Sequence, residues 1–281
     1  MPAIRSNVIV DSDVFRANRA AHLELIAEFR ALEAKVREAS GRSDARFRQR
    51  GQLPPRERVN LLLDRDAPFL ELSTLCGLGM HEDDGKENVY GGGSIVGIGM
   101  ISGARCMIAA SDSGIKGGAA HPMGVEKAIR AQEIALQSKL PYIQLVESAG
   151  ANLLLQAEMF VRGGATFANM ARLSAAGIPV ISIVHGSSTA GGAYQTGLAD
   201  YVVMVRGRSK VFLAGPPLLK AATGEIAGDE ALGGAELHAS TTGLCEYLAE
   251  NDADALRIGR EILAKLRWAR RETRPPAAAG L

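Results

Sequence analysis

Apolar and polar residues follow two patterns along this chain, one typical of buried strands and one typical of helices. Four short apolar runs, bounded by glycine, proline or polar residues, predict buried strands: 141–146, 178–184, 201–205 and 210–214. Around them, residues 123–138 and 154–175 carry the apolar spacing of helices. Repeated strand–loop–helix units are typical of parallel strands joined by right-handed crossovers. The pattern therefore predicts an α/β domain whose ligands bind beyond the carboxyl ends of its strands.

A long helix is predicted at residues 14–39, before the first strand. Leu25, Phe29, Leu32 and Val36 recur at helical spacing and form one apolar stripe, with charged residues on the other faces. A single stripe of this kind indicates a helix that packs on the body of the domain or on a partner subunit.

Composition narrows the class of protein. The chain has 281 residues, 47% apolar and 22% charged, which is typical of a globular protein, and a net charge of +1 argues against a general nucleic-acid surface. Cys76, Cys106 and Cys245 are widely spaced and form no His/Cys ligand cluster, so we expect free thiols and no metal site. Neither a secretory signal nor an apolar run of spanning length occurs, and we expect a cytoplasmic protein.

Two loops rich in small residues follow two of the predicted strands. They are residues 146–152 and residues 185–194, and each leads into a predicted helix. Main-chain N–H groups at a helix start have no partner within the helix and favour negative charge. Two such loops that converge on one oxygen form an oxyanion hole, which stabilises an enolate or a tetrahedral anion. The competing interpretation is that these small residues only permit close packing of helix on strand.

An arginine-rich stretch precedes the strands. Six arginines lie between residues 40 and 58, against two acidic residues, and they include Arg56 and Arg58. Two interpretations stay open: a solvated basic face, which is the usual role of such a stretch, and a site for ligand phosphates.

Several ordered motifs together make the chain resemble a known family. They are LPPRERVNLLLD (53–64), YGGGSIVGIG (90–99), KGGAAHP (116–122), RAQEIA (130–135), VESAGANL (146–153), TAGGAY (189–194), FLAGPPLLKAATGE (212–225) and LGGAELH (232–238). In this order they resemble the amino-terminal half of the carboxyltransferase (beta) subunit of biotin-dependent acyl-CoA carboxylases. The stretch 212–225 is most similar to the 3-methylcrotonyl-CoA and geranyl-CoA branch. The resemblance implies a crotonase-like fold of repeated βαβ units, here with an extra amino-terminal helix.

The resemblance also implies a chemistry and its participants. The reaction is carboxyl transfer from carboxybiotin to an acyl-CoA through an enolate held by main-chain donors, with biotin carried on a partner protein or domain. By position, Ala149 or Gly150 matches the first donor loop, and Gly191 or Gly192 matches the second. Lys116, Gly117, Gly118 and Ala119 precede a helix and are candidates for the CoA channel, although a plain helix-start turn is an equal interpretation. Arg56 and Arg58 are the candidates for the CoA phosphates.

The implied partners are a carboxyl-terminal carboxyltransferase half, a biotin carboxylase with its biotin carrier, and further copies of the chain in an oligomer. Neither nucleic acid, nor a membrane, nor a metal ion is expected. On this basis we divide the chain into an amino-terminal helix and basic segment (1–52), a carboxyltransferase amino-terminal domain (53–270) and a linker or disordered tail (271–281).

Two alternatives stay open. The first is a crotonase-type hydratase or isomerase, which would have a carboxylate base just after the second loop. This chain has Tyr194 at that position, which argues against a hydratase or isomerase. The second alternative is a non-catalytic half that only binds CoA and serves as a scaffold in an assembly. One departure from the family bears on the first loop: the family usually has Asp-Ser-Gly-Gly-Ala where this chain has residues 147–151, with Glu147 first and Ala149 in place of a glycine.

Overall fold

The computed structural model describes residues 6–80 and 89–268. Its centre is one mixed sheet with the strand order β1-β2-β3-β4-β5-β6-β8, in which β7 pairs separately with β5. The first three strands are antiparallel, and every pairing from β3 onward is parallel. The strands are β1 (Leu70–Glu71), β2 (Ser94–Ile101), β3 (Ala104–Ser111), β4 (Tyr142–Ser148), β5 (Val180–Thr189), β6 (Tyr201–Val205), β7 (Lys210–Phe212) and β8 (Tyr247–Ala249).

Helices connect and cover these strands. Among the described residues they are α1 (Asp13–Gly41), α2 (Asp44–Gln49), α3 (Pro55–Leu62), α4 (Pro122–Ser138), α5 (Gln156–Ala175), α6 (Gly191–Gly197), α7 (Pro216–Thr223), α8 (Asp229–Gly233), α9 (Ala235–Leu237) and α10 (Asp252–Leu266). Helices α4 and α5 pack on each other, while α3 and α10 pack together and α10 also contacts β5 and β6. The α/β fold with parallel strands that the sequence predicted is confirmed.

The core is densest where the parallel strands are covered on both faces. Ile143, Leu145, Ile181 and Ile183 are at most 2% exposed. Helix α10 approaches β5 so closely that a Cβ built on Gly259 would lie 2.4 Å from Ile183 Cδ1. Because both faces of these strands are buried, their sequences are nearly continuous apolar runs, each interrupted by one buried polar residue, Gln144 in β4 and Ser182 in β5.

Helix α1 confirms the predicted helix at 14–39 but departs from a simple packed stripe. Ser12 caps its start by accepting a hydrogen bond from the Phe15 N–H at 3.2 Å. Val36 is buried, whereas Leu25 and Phe29 are 60% and 45% exposed. Within the described residues, therefore, only the carboxyl-terminal part of the stripe packs on the body of the domain.

Two further findings concern the length of the apolar helices and the cysteines. No helix in residues 6–80 and 89–268 is long and apolar enough to cross a membrane. Among the described residues, Cys76, Cys106 and Cys245 are not joined in a disulfide. The predicted tail, 271–281, lies outside the described residues.

Candidate active site

The two small-residue loops lie side by side because β4 and β5 are neighbouring parallel strands. Ser148, the last residue of β4, pairs with Ser188 near the end of β5, after a register shift between Val146 and Ser148. A Cβ built on Gly150 would lie 3.4 Å from the Ala190 Cβ and 3.4 Å from the Thr189 carbonyl oxygen. Thr189 Oγ1 also donates to the Ser148 carbonyl at 3.2 Å, so the two loops are in direct contact, as an oxyanion hole made from both of them requires.

The second loop is a strained turn from strand to helix. Strand β5 runs to Thr189, five residues beyond its predicted end at 184, and α6 starts at Gly191. Between them, Ala190 has φ 51° and ψ −120°, a conformation that an L-residue with a Cβ rarely adopts. Its N–H donates to the Phe212 carbonyl at 3.1 Å, which ties the turn to β7. Strained backbone of this kind clusters at functional sites, where the surrounding structure holds it in place.

Burial separates the four candidate donors into two groups. Ala149 and Gly191 are exposed, whereas Gly150 and Gly192 are buried. The Gly150 N–H donates to Ser148 Oγ at 3.1 Å. A Cβ built on Gly192 would lie 3.1 Å from both Cβ and Oγ of Ser148. Gly150 and Gly192 therefore pack against Ser148, whereas Ala149 and Gly191 lie at the surface of the two loops.

The predicted CoA segment lies against the first loop. Residues Lys116–Gly118 form a 3-10 turn, and Ser148 Oγ donates to the Gly118 carbonyl at 3.1 Å. Just beyond it, the Ala120 N–H donates to the Gly150 carbonyl at 2.8 Å. The Asn152 N–H in turn donates to the Ala120 carbonyl at 3.0 Å. The structure thus brings residues 116–119 beside the first loop.

Arg56 and Arg58, the candidates for the CoA phosphates, both have guanidinium groups paired with carboxylates. Arg58 is 1% exposed, and its Nη1 donates to Glu147 Oε2 at 2.7 Å. Arg56 makes two hydrogen bonds, of 3.1 and 3.0 Å, to Glu71. Arg58 is thus removed from solvent, whereas the Arg56 side chain is 27% exposed. Sequence patterning could not reveal the pairing of Arg58, because its carboxylate partner lies 89 positions away in the sequence.

Arg58 belongs to a buried charge cluster beneath the donor loops. Its Nε lies 3.7 Å from Asp252 Oδ2, and Asp252 Oδ1 lies 2.9 Å from His185 Nδ1. Gln52 Nε2 donates to Glu147 Oε1 at 3.2 Å. The cluster therefore ties α3 and the first turn of α10 to the ends of β4 and β5.

Electrostatics keeps the carboxylates of this cluster ionised. Burial raises the pKa of Glu147, but the charge and hydrogen bond of Arg58 outweigh that effect and hold the pKa below its usual range. Against the same cost of burial, the hydrogen bond with His185, the Arg58 charge and a hydrogen bond from the Leu53 N–H lower the pKa of Asp252 to about 2. Burial, with the nearby Arg58 charge, lowers the pKa of His185, whose imidazole is therefore neutral at pH 7. A carboxylate as weakly basic as Glu147 is a poor proton acceptor, which argues against a hydratase-type base at that position.

The side chains that join the segments were not predicted from the sequence. Ser148, Ser188 and Thr189 carry no spacing signal. Ser148 and Thr189 donate to main-chain carbonyls of other segments, and Ser188 donates to the Gly192 carbonyl within the second loop. Within residues 6–80 and 89–268, no group of three or more His, Cys, Asp and Glu side chains is arranged to hold a metal ion.

Two small-residue loops that meet where two central parallel strands end, one of them at a strained strand-to-helix turn, are the features of a crotonase-type domain. Comparisons with known proteins identify the family within this class. The profile of the carboxyl transferase domain matches residues 46–280, and the chain belongs to this family.

Relatives of the chain agree with this assignment. A probable biotin-dependent acyl-coenzyme A carboxylase beta2 subunit of Mycobacterium tuberculosis is 52% identical over 230 residues, which cover 82% of this chain and 42% of the relative. The probable mitochondrial methylcrotonoyl-CoA carboxylase beta chain of Drosophila melanogaster is 44% identical over 267 residues, or 94% of this chain and 46% of the relative.

A solved structure carries the same fold. The geranyl-CoA carboxylase beta subunit of P. aeruginosa superposes with a TM-score of 0.87 at 54% identity, over 99% of this chain and 51% of that one. These matches confirm the predicted crotonase-like fold and the resemblance to the amino-terminal half of such subunits. The chain spans about half the length of the relatives it matches.

Proposed function

We propose that this chain forms the acyl-CoA side of a carboxyltransferase site in a biotin-dependent acyl-CoA carboxylase. The observation that carries the proposal is the contact between the two small-residue loops at the ends of neighbouring strands, where Ala149 and Gly191 are exposed. The identity to methylcrotonoyl-CoA and geranyl-CoA carboxylase beta subunits supports a branched, unsaturated acyl-CoA as substrate.

The chemistry follows from where negative charge develops. Removing a proton from a carbon conjugated with a thioester carbonyl places negative charge on the thioester oxygen. In the proposed site the N–H groups of Ala149 and Gly191 donate to that oxygen and stabilise the enolate. Carboxybiotin, when bound, supplies the carboxyl group and, after its release, the base. An exposed edge of main chain and small side chains is open enough for a flat ring to approach, and no side-chain base is required of this chain.

For the CoA moiety, we propose the segment Lys116–Ala119. It lies beside the first donor loop, and the main chain of Gly117 is exposed at its turn. Arg56 and Arg58 have no part in this proposal, because both are paired with carboxylates.

The proposal includes partners. Leu153 and Leu154, just after the first loop, are 66% and 88% exposed, and Phe160 and Val161 are 55% and 94% exposed. Exposed apolar surface of this kind beside a reaction site marks an interaction surface. We propose that a carboxyl-terminal carboxyltransferase half covers it in an oligomer, which a biotin carboxylase and its biotin carrier supply with carboxybiotin. A cytoplasmic location belongs to the same proposal.

A pair of substitutions at Gly191 tests the donor. In the active assembly, Gly191→Pro removes the N–H, and we expect turnover to fall by about 10²–10³-fold, as for other oxyanion donors, with CoA affinity retained. Gly191→Ala is the matched control because it keeps the N–H, and its Cβ would approach only Phe167 Cζ, at 3.9 Å. Turnover, CoA affinity and thermal unfolding are measured for both variants.

Each outcome has a clear meaning. A folded Gly191→Pro variant with wild-type turnover would falsify the donor assignment. Hydration of an enoyl-CoA by the assembly would support a hydratase instead. CoA binding without any carboxyl transfer, in the presence of the partner half and carboxybiotin, would support a scaffolding role.

A further inference from the structure

One buried hydroxyl contacts all three segments of the proposed site. Ser148 is 8% exposed, and its Oγ donates to the Gly118 carbonyl and accepts from the Gly150 N–H, each at 3.1 Å. A serine hydroxyl has one proton to donate and lone pairs to accept, so a single group satisfies both partners. Ser148 thereby links the 116–119 segment to the first donor loop.

The second donor loop rests on the same residue. The closest neighbours of a Cβ built on Gly192 are Cβ and Oγ of Ser148, at 3.1 Å, so the first turn of α6 packs directly on this side chain. Thr189 Oγ1 donates to the Ser148 carbonyl at 3.2 Å. Ser188 Oγ holds the other side of the turn by donating to the Gly192 carbonyl at 2.8 Å.

We propose that Ser148 is a positioning residue that sets the distances between the acyl-CoA segment 116–119 and the two donors, Ala149 and Gly191. The inference rests on the proposed function. Ser148 does not touch the reacting atoms: it is buried below them and acts through Gly118, Gly150 and Gly192.

The contacts predict a loss of alignment rather than a loss of fold when the hydroxyl is removed. The segment 116–120 keeps its register through the Ala120–Gly150 and Asn152–Ala120 main-chain hydrogen bonds, which do not involve Ser148. Without the hydroxyl, however, the Gly150 N–H and the Gly118 carbonyl lose a shared partner and move to find others. A displacement of about 1 Å in a reaction site can lower the rate by about 10²-fold.

The matched control is a second buried serine. Ser182 lies on β5, next to β4, and is 0% exposed. Within the part of the chain that the structure describes, its Oγ has no hydrogen-bond partner. Ser148→Ala and Ser182→Ala therefore remove the same atom at similar burial, but only the first removes hydrogen bonds.

The test uses the active assembly that contains this chain. We measure kcat and KM for the acyl-CoA, Kd for free CoA, and thermal unfolding. For Ser148→Ala we expect kcat to fall by about 10–100-fold while Kd for CoA changes by less than about twofold. For Ser182→Ala we expect kcat to stay within about twofold of the wild type, because no partner is lost.

Three results would overturn the proposal, and they can be told apart. If Ser148→Ala loses no more turnover than Ser182→Ala while Gly191→Pro is inactive, the positioning role is wrong and the proposed function stands. If kcat, CoA affinity and thermal stability of Ser148→Ala fall together, the serine serves the fold alone. If folded Gly191→Pro keeps wild-type turnover, the proposed function fails, and this inference fails with it.

Discussion

The buried ion pair between Arg58 and Glu147 allows a quantitative prediction about stability. The two side chains are 2% and 16% exposed, and Asp252, at 3.7 Å from Arg58, is 2% exposed. Arg58→Met keeps an apolar stem of similar length but leaves Glu147 without its cation. Removing one partner of a buried ion pair costs about 3–5 kcal/mol, because the remaining charge stays desolvated and uncompensated.

This free energy corresponds to a large shift in urea. With a denaturant slope of about 3 kcal/mol per molar, the unfolding midpoint of Arg58→Met should fall by about 1–1.7 M. The sole tryptophan, Trp268, gives a fluorescence signal from a buried position, where its Nε1 donates to the Lys139 carbonyl at 3.2 Å. Adding Glu147→Gln to Arg58→Met should restore part of the loss, because it removes the uncompensated charge.

An exposed pair provides the control. Arg162 donates to Glu126 at 2.6 and 2.9 Å, but the two side chains are 53% and 44% exposed. Solvent screens such a pair, so Arg162→Met should leave the midpoint nearly unchanged. The reasoning from burial would be refuted if Arg162→Met and Arg58→Met shifted the midpoint equally, or if adding Glu147→Gln made Arg58→Met less stable still.

Two further predictions concern pH and a close contact. Burial lowers the pKa of His185, so the unfolded chain takes up a proton that the folded chain does not, and the free energy of unfolding should fall as pH drops from about 7 to 5. His185→Asn, which keeps an N–H donor toward Asp252, should flatten that decline in urea titrations; an unchanged slope would contradict the assignment. A Cβ on Gly118 would lie 2.3 Å from the Glu147 carbonyl oxygen, whereas Gly177, also at positive φ, has nothing within 4 Å. Gly177→Ala should cost only the backbone strain of about 1–2 kcal/mol, and Gly118→Ala should cost more and also lower turnover; equal losses would show that the contact has no effect.

Much of the fold could be predicted because its signals are local. The runs at 141–146 and 201–205 and the helix at 123–138 all lie within a few residues of the observed elements. Strand β5 extends beyond its predicted end at residue 184. The prediction stopped there because the last residues of the strand are small and polar and give no apolar signal. Residues 187–189 extend the strand by pairing with β7, and a pairing with a distant segment leaves no apolar run to detect.

The position of the candidate site could be predicted, but not the side chains that hold it together. Small residues after two strands mark the two loops, and the structure places these loops in contact. The roles of Arg58 and Ser148 depend instead on partners 89 and 30 positions away. A sequence pattern contains only the spacing of residues along the chain. It does not show whether an arginine side chain is solvated or paired with a buried carboxylate.

The strained turn at Ala190 has a consequence for how this chain can change. At φ 51° and ψ −120°, an alanine stores on the order of 1–3 kcal/mol that a glycine would release. Selection for heat resistance alone would therefore favour Ala190→Gly, which relaxes the backbone but also lets the turn explore other shapes. Selection for catalytic rate would oppose the same exchange, because the restricted backbone keeps the Gly191 N–H in one direction. In laboratory evolution we therefore expect glycine at position 190 under selection for heat resistance, and alanine under selection for catalytic rate. The residue at position 190 would then indicate which selection had acted on the chain.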